Sequence, residues 1–314
     1  MASLRRVAED ATAVLLLLLI LAGLRGSAST AAADVGGVLR MKHSSGGGYS
    51  YNRTLAHILV EYASAVYTSD LTSLFTWTCP RCKGHTKGFK VIEIIVDVEN
   101  CLQVHHGFYT AYYNTTLRHE ILKSIQWARK TYGKLPINVV GHSMGGALAT
   151  FCALDLSVKF GSQEVQLMTF GQPRIGNPAF ASYFSQQVPR TIRVTHQNDI
   201  VPHLPPYFPY LGQWTYHHFP REVWLHVTID GNVVTRNETV CDDSGEDMNG
   251  SRSVYGTSVA DHLEYYGVTL HADSRGTCQF VIGATNSAYS HIQEVDGAII
   301  LSRYPQEPHA LEYM

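Results

Sequence analysis

Residues 135–156 read LPINVVGHSMGGALATFCALDL, and the architecture of the chain can be predicted outward from this stretch. A β-branched run at 137–140 is followed by Gly-His-Ser-Met-Gly at 141–145 and then by a run of helix formers at 147–156. The pentapeptide therefore lies where a strand turns sharply into a helix, which is the setting of a nucleophile elbow. Such a turn pushes the Ser143 hydroxyl outward. We expect Gly141 and Gly145 to remove Cβ atoms that would clash with the neighbouring strand and helix.

Strands alternate with helices on both sides of this stretch. The residue patterns predict strands at 91–98, 166–170, 191–195 and 223–229, and helices at 54–68, 117–132 and 178–187. This alternation predicts an α/β fold with a largely parallel sheet. A chain of 314 residues with 45% hydrophobic content can build one large domain. We place that domain at 54–271 and expect 272–314 to be a strand-poor C-terminal tail.

Residues 1–28 have the pattern of a secretory signal peptide. Arg5 and Arg6 precede an apolar run at 11–24, and small residues follow at Ser27 and Ala28. The apolar run is short for a membrane span, so cleavage is favoured over an uncleaved anchor, and no stable span is expected after it. Residues 29–53 are expected to form a flexible linker. The chain should therefore enter the secretory pathway and reach the extracellular space, the vacuole or the lumen of the endoplasmic reticulum.

Two further features fit passage through an oxidising compartment. Glycosylation acceptor patterns begin at Asn52, Asn114, Asn237 and Asn249. Six cysteines are an even number, which indicates disulfides but leaves their pairing open. The pair in Cys79-Pro-Arg-Cys82 fits half a zinc site or a redox motif, but no second C-x-x-C follows, so a structural disulfide is favoured. Cys152, in the predicted elbow helix, is interpreted as a buried thiol.

A serine nucleophile needs a histidine base, and the histidine needs a carboxylate that fixes its tautomer. This type of fold supplies the three in the order Ser, Asp, His. Asp199 follows the predicted strand at 191–195, so it should lie at the sheet edge beside the elbow. Spacing alone leaves the histidine open between His262 and several others. These others are His203, His217, His218, His226 and His271.

Four motifs in order resemble the class 3 lipases, the fungal-lipase-like family, in a plant form. They are GHSMGGALA at 141–149, TFGQPRIGN at 169–177, NDIVPH at 198–203 and DHLEYY at 261–266. The resemblance runs from about residue 79 to 267 and implies an α/β-hydrolase fold. It makes Ser143 the nucleophile, Asp199 the acid and His262 the base, with the backbone amide of Met144 in the oxyanion hole. The implied reaction is hydrolysis of lipid esters such as triacylglycerol, through an acyl-serine intermediate and with no metal or other cofactor.

The sequence departs from the family pattern between Gln103 and Val104. There the family carries several dozen residues that include a central strand, a Phe-Arg-Gly-Thr-like turn and the lid region. The resemblance therefore implies an internal deletion that removes one interior strand and the second oxyanion donor. One such donor is typically worth about 10² to 10³ in rate. Removal of an interior strand also leaves amides and carbonyls of its neighbours unpaired.

Three hypotheses on function stay open at this point. The first is a triacylglycerol lipase or other lipid ester hydrolase, and the second is an impaired or inactive relative that binds lipid or a partner protein. The third is an enzyme for phospholipids, galactolipids or small soluble esters. A net charge of −2 gives no footprint for nucleic acid. Aromatic stretches at 205–210 and 214–219 fit either an acyl groove at a lipid–water interface or ordinary surface loops; the oligomeric state is left open.

Overall fold

The computed structural model describes residues 19–20, 50–91, 93–97, 108–230, 233–271, 291–295 and 298–302. The helices of these ranges are α1 (Arg53–Ala65), α2 (Leu71–Phe75), α3 (Phe108–Tyr113), α4 (Thr116–Tyr132), α5 (Met144–Phe160) and α6 (Pro178–Gln187). Their strands are β1 (Leu19–Ile20), β2 (Glu93–Asp97), β3 (Ile137–His142), β4 (Val165–Phe170), β5 (Thr191–His196), β6 (Glu222–Asp230), β7 (Val233–Val240), β8 (Glu264–Tyr265), β9 (Val268–Thr269), β10 (His291–Val295) and β11 (Ala298–Ser302).

The central sheet has the strand order β1-β3-β4-β5-β6-β7. Strands β3 to β6 run parallel, while β7 is antiparallel to β6 and the short β1 is antiparallel to β3. Every residue of β3 and β4 is buried, which is typical of strands covered on both faces. The predicted α/β fold with a mostly parallel sheet is therefore confirmed.

The sheet divides the core into two clusters. Because successive strand residues point to opposite faces, Val140 belongs to the same cluster as Leu59 of α1, whereas Val139 belongs to the cluster that contains Ile121 of α4 and Leu148 of α5. The two layers of helices hold β3 and the start of α5 in place, so the turn between them has a rigid frame.

Local signals at the helix ends account for the predictions that hold. Helix α6 has the predicted bounds, since Asn177 caps it by accepting a hydrogen bond from the amide of Phe180 and a proline occupies its first position. Helix α4 ends where Gly133 adopts a φ of +82°. The predicted strands of the central sheet and helix α1 appear within a few residues of their expected bounds.

The C-terminal segment corrects one prediction. Strands β10 and β11 pair antiparallel within 272–314, so describing that segment as strand-poor is wrong for residues 291–295 and 298–302. The predicted strand at 91–98 exists as β2, but it pairs with β11 in a separate antiparallel sheet. These strands form because distant parts of the chain pair with each other, and local residue propensities do not predict such pairing.

Several predictions fall wholly or partly outside the described residues. The junction of Gln103 and Val104 does, and so does the predicted signal peptide apart from β1.

The disulfide between Cys79 and Cys82 is confirmed, and Cys152 is a buried free thiol as predicted. Within the described residues, none of the helices combines the length and apolar character that a membrane crossing requires.

Candidate active site

Ser143 occupies a strained turn between β3 and α5. Its φ of +57° and ψ of −130° lie in a region that residues with a side chain rarely adopt. The turn is held by backbone hydrogen bonds: the Ser143 amide donates to the Phe170 carbonyl at 3.0 Å, and the Gly146 amide donates to the Ser143 carbonyl at 2.9 Å. The main chain thus fixes the direction in which the Ser143 side chain leaves the sheet.

The two glycines of the elbow differ in what they contribute. A Cβ atom at Gly141 would lie 2.2 Å from the carbonyl oxygen of Gly145, so strand and helix approach each other too closely for any side chain there. A Cβ atom at Gly145 would meet nothing within 4 Å. The expectation of a clash is therefore correct for Gly141 and wrong for Gly145. The backbone of Gly145 crowds position 141, but a side chain at position 145 itself would point into open space.

Asp199 and His262 meet at the same edge of the sheet. Asp199 follows β5 and is 2% exposed, and His262 lies in the short 3₁₀ turn Asp261–Leu263 and is 8% exposed. The distance from His262 Nδ1 to Asp199 Oδ2 is 2.9 Å. The other carboxylate oxygen of Asp199 accepts a hydrogen bond from the amide of Val201 at 2.8 Å. The buried Asp199 carboxylate thus orients the imidazole ring through its Nδ1 atom.

Gly171, just after β4, leaves room for this pair. Its φ is +57°, and a Cβ atom there would lie 2.7 Å from Asp199 Oδ2 and 2.9 Å from His262 Nδ1. A side chain at this position would therefore push into the hydrogen bond between the aspartate and the histidine.

Tyr265 supplies a further hydrogen bond to the aspartate. Its hydroxyl donates to Asp199 Oδ2 at 2.5 Å, and the side chain is fully buried. Burial, followed by the neighbouring Asp199 carboxylate, raises the pKa of Tyr265 well above its ordinary value of 10.0, so the phenol keeps its proton and stays a donor. Tyr265 lies within the DHLEYY motif at 261–266, from which no role was predicted for it. Its position three residues after His262 was the available signal.

His142, the residue before Ser143, supports His262 from below. The two rings stack with centroids 4.4 Å apart, and His142 Nε2 is 2.8 Å from the backbone carbonyl oxygen of His262. Since a carbonyl only accepts, Nε2 carries the proton, and Nδ1 accepts the hydroxyl of Tyr67 at 2.6 Å. Burial lowers the pKa of His142 well below 6.5, and the nearby His262 adds to this. His142 therefore stays neutral and positions His262 by stacking and by this hydrogen bond. The sequence did not predict this role.

Three of the other candidate histidines have different partners. His218 Nε2 donates to the Pro202 carbonyl at 2.8 Å, and His226 Nε2 lies 2.9 Å from the Thr239 hydroxyl. His217 Nδ1 lies 2.6 Å from the His218 carbonyl oxygen. Of the candidate bases, His262 is the one for which the structure gives a hydrogen bond to Asp199.

Met144 is the first residue of α5. The first four amides of an α-helix have no partner within the helix, so the Met144 amide is available beside Ser143. Among the described residues, no group of His, Cys, Asp or Glu side chains is placed to hold a metal ion.

A mostly parallel sheet in which one strand runs through a strained turn into a helix is the arrangement of the α/β-hydrolase fold. Residues 86–208 match the model of the family described as lipase (class 3). The chain is 37% identical over 171 residues to a lipase of Rhizomucor miehei, which covers 53% of this chain and 44% of that protein. It is 36% identical over 136 residues to secreted mono- and diacylglycerol lipase 2 of Gibberella zeae, covering 40% and 31% of the two proteins.

A solved triacylglycerol lipase, in which a serine protease triad forms the catalytic centre, superimposes with a TM-score of 0.54 at 26% identity. The match covers 74% of this chain and 100% of that one. These matches show that the chain is similar to class 3 lipases over residues 86–208 and that it shares the fold of a solved triacylglycerol lipase. The chain spans less than half the length of the two curated relatives.

Proposed function

We propose that this protein is a secreted hydrolase of lipid carboxylic esters that uses Ser143 as nucleophile, His262 as base and Asp199 as acid. One observation carries the proposal: a buried aspartate–histidine hydrogen bond lies at the same sheet edge as a serine in a strained turn. The ring of the residue preceding that serine stacks on the histidine, which keeps the two segments together.

The proposed reaction follows from these positions. His262 takes the proton of the Ser143 hydroxyl through Nε2, while its Nδ1–H donates to Asp199. The serine oxygen attacks the ester carbonyl, and the Met144 amide donates to the oxyanion that forms. The carbon–oxygen bond to the alcohol breaks, and the alcohol leaves with the proton from His262. Water then repeats these steps on the acyl-serine and releases the fatty acid.

The class of substrate is supported by the relatives. Their names give triacylglycerol for one and mono- and diacylglycerols for another, and we extend the common element, an acylglycerol ester, to this chain. Secretion is supported by the signal-peptide pattern, by the disulfide between Cys79 and Cys82, and by the name of the Gibberella relative.

The test is hydrolysis of a short soluble ester by the purified chain and by Ser143→Ala. We expect kcat/KM of the variant to be at least 10³-fold lower, since only a small residual rate of catalysis remains without the nucleophile. Ser157→Ala is the matched control, because Ser157 lies in α5, the helix that follows Ser143, and its buried hydroxyl has no hydrogen-bond partner. Equal hydrolysis by Ser143→Ala and the parent chain would overturn the proposal.

A second candidate is an impaired relative that has kept the proposed triad. It is supported by the edge of β3, which pairs with β4 over six residues but on its other side, within the described chain, only with Leu19–Ile20. A strand lost from this side is consistent with the predicted deletion. Activity that appears only after a class 3 lipase segment is inserted between Gln103 and Val104 would favour this candidate. Equal activity in the unaltered chain and in the chain with the inserted segment would exclude it.

A further inference from the structure

A loop of aromatic residues stands beside the proposed site. Residues 203–217, here called the aromatic loop, leave the domain after Pro202 and return at His218, whose Nε2 donates to the Pro202 carbonyl at 2.8 Å. A loop whose ends are held together in this way is a compact surface unit. Pro202 is three residues beyond Asp199, so the loop rises from the edge of the sheet that carries the proposed triad.

The base of the aromatic loop is firmly attached to the domain. The Tyr207 ring lies under two guanidinium groups, those of Arg252 at 4.8 Å and Arg174 at 5.7 Å. Gln213 is fastened to the start of α6, because its side-chain oxygen accepts a hydrogen bond from the amide of Ala179 at 3.1 Å. The buried Thr215 hydroxyl accepts from the amide of Phe208 at 2.8 Å.

The tip of the same loop presents apolar rings to solvent. Trp214 is 91% exposed and Tyr210 is 79% exposed, with Phe208, Leu211 and Tyr216 exposed around them. The aromatic loop contains no Lys, Arg, Asp or Glu. A well-held loop that exposes large apolar side chains without charges is typical of an interaction surface. Trp and Tyr in particular favour the headgroup level of a lipid layer, where the ring is sheltered and the polar group stays wet.

We propose that the aromatic loop docks this protein on a lipid–water interface of uncharged or zwitterionic headgroups, with Trp214 and Tyr210 inserted at headgroup depth. This rests on the proposed function, since the acylglycerol esters it acts on gather at such interfaces. The absence of Lys and Arg from the loop and the net charge of −2 select a neutral surface over an anionic one. Docking by this loop turns the edge that carries Ser143, Asp199 and His262 toward the lipid.

Binding is measured in the Ser143→Ala background, so that no lipid is hydrolysed and failure of docking is separate from failure of catalysis. The probe is sedimentation with phosphatidylcholine vesicles. We expect the Ser143→Ala chain to bind to the vesicles. Adding Tyr210→Ala and Trp214→Ala to it should weaken this binding at least tenfold and leave the thermal unfolding temperature unchanged. Tyr132→Ala is the matched control, because Tyr132 is exposed but ends α4, just before the opposite edge of the sheet.

Fluorescence identifies the inserting residue. Trp214 is the most exposed of the four tryptophans, so vesicles of brominated phosphatidylcholine should quench the parent and lose most of that effect in Trp214→Phe. Vesicle binding should persist in 0.5 M NaCl, because the contact is apolar.

Three results would overturn the docking proposal. They are a parent chain that does not bind neutral vesicles, binding that requires anionic lipid and disappears in salt, and a dimer in solution that Trp214→Ala dissociates. The last result would assign the aromatic loop to contact between two copies of the chain. Hydrolysis of a soluble ester by the chain with Ser143 intact tests the proposed function independently of all three.

Discussion

The Asp199 carboxylate has three hydrogen-bond partners, and between them they fix both of its oxygens. The Val201 amide holds one oxygen, and His262 and Tyr265 share the other. Hydrogen bonds to a charged group contribute about 1.5–3 kcal/mol each, so a buried carboxylate with fewer donors is both less stable and less well placed. The tyrosine is thus a positioning residue that acts on the histidine through the aspartate.

Tyr265→Phe should separate positioning from substrate contact. The variant keeps the ring but removes the donor to Asp199, so we expect kcat on a soluble ester to fall about tenfold, equivalent to about 1.4 kcal/mol. KM should be unchanged, because the Tyr265 side chain is fully buried. Tyr266→Phe is the control: it also loses a phenol hydrogen bond, here to Tyr51 at 2.5 Å, and should lose stability without losing kcat. An equal loss of kcat in both variants would contradict the assigned role.

At the residue scale, the sequence predicted what its motifs contain. Ser143, Asp199 and His262 were selected by motif and order, and the structure brings the last two into contact while their chemical roles remain proposals. The Tyr67–His142–His262 contacts were not predictable, because the hydrogen bonds join residues 75 and 120 positions apart. No local pattern records such contacts.

At the scale of elements, the turn from β3 to α5 depends on one close backbone approach. Gly141→Ala would place a Cβ atom 2.2 Å from the carbonyl oxygen of Gly145. Gly145 lies in α5, which packs against β3 and β4. Since main chain cannot move aside cheaply, we expect a loss of about 3 kcal/mol or more in the free energy of unfolding.

Gly145→Ala is the matched substitution four residues on. Its Cβ atom would meet nothing within 4 Å, and alanine favours a helix over glycine, so stability should change by less than about 1 kcal/mol. Urea unfolding followed by circular dichroism measures both variants. Similar losses in the two would show that the elbow tolerates no side chain at either position, against the asymmetry of the structure.

Elements with local signals were predictable and elements that depend on distant partners were not. The asparagine cap and proline at the start of α6 mark its bounds in the sequence. Strands β10 and β11 carry no comparable mark, since Ile300 pairs with Ile95 some two hundred positions earlier in the chain. Pairing of that kind is decided by the packed sheet and not by local propensity.

At the scale of the whole molecule, two histidines are buried without charge. Burial lowers the pKa of both His142 and His218 well below 6.5, helped by His262 in the first case and by Arg193 and Arg174 in the second. Both are neutral in the folded protein, whereas in the unfolded chain they bind protons below about pH 6.5. Unfolding in acid therefore takes up protons, and the folded state loses stability as the pH falls.

The free energy of unfolding should accordingly be greatest above about pH 6.5 and fall between pH 6.5 and 5, by about 1.4 kcal/mol per pH unit for each of the two histidines once its unfolded form is protonated. Urea unfolding at several pH values measures this slope. His142→Gln is the informative variant, because its amide can still donate to the His262 carbonyl and accept from Tyr67 but does not titrate. The slope of its unfolding free energy against pH should be smaller than that of the unaltered chain by about 1.4 kcal/mol per pH unit, which corresponds to one proton fewer taken up on unfolding. Identical slopes would mean that His142 is protonated in the folded protein, and the neutral support that we assign to His262 would then be wrong.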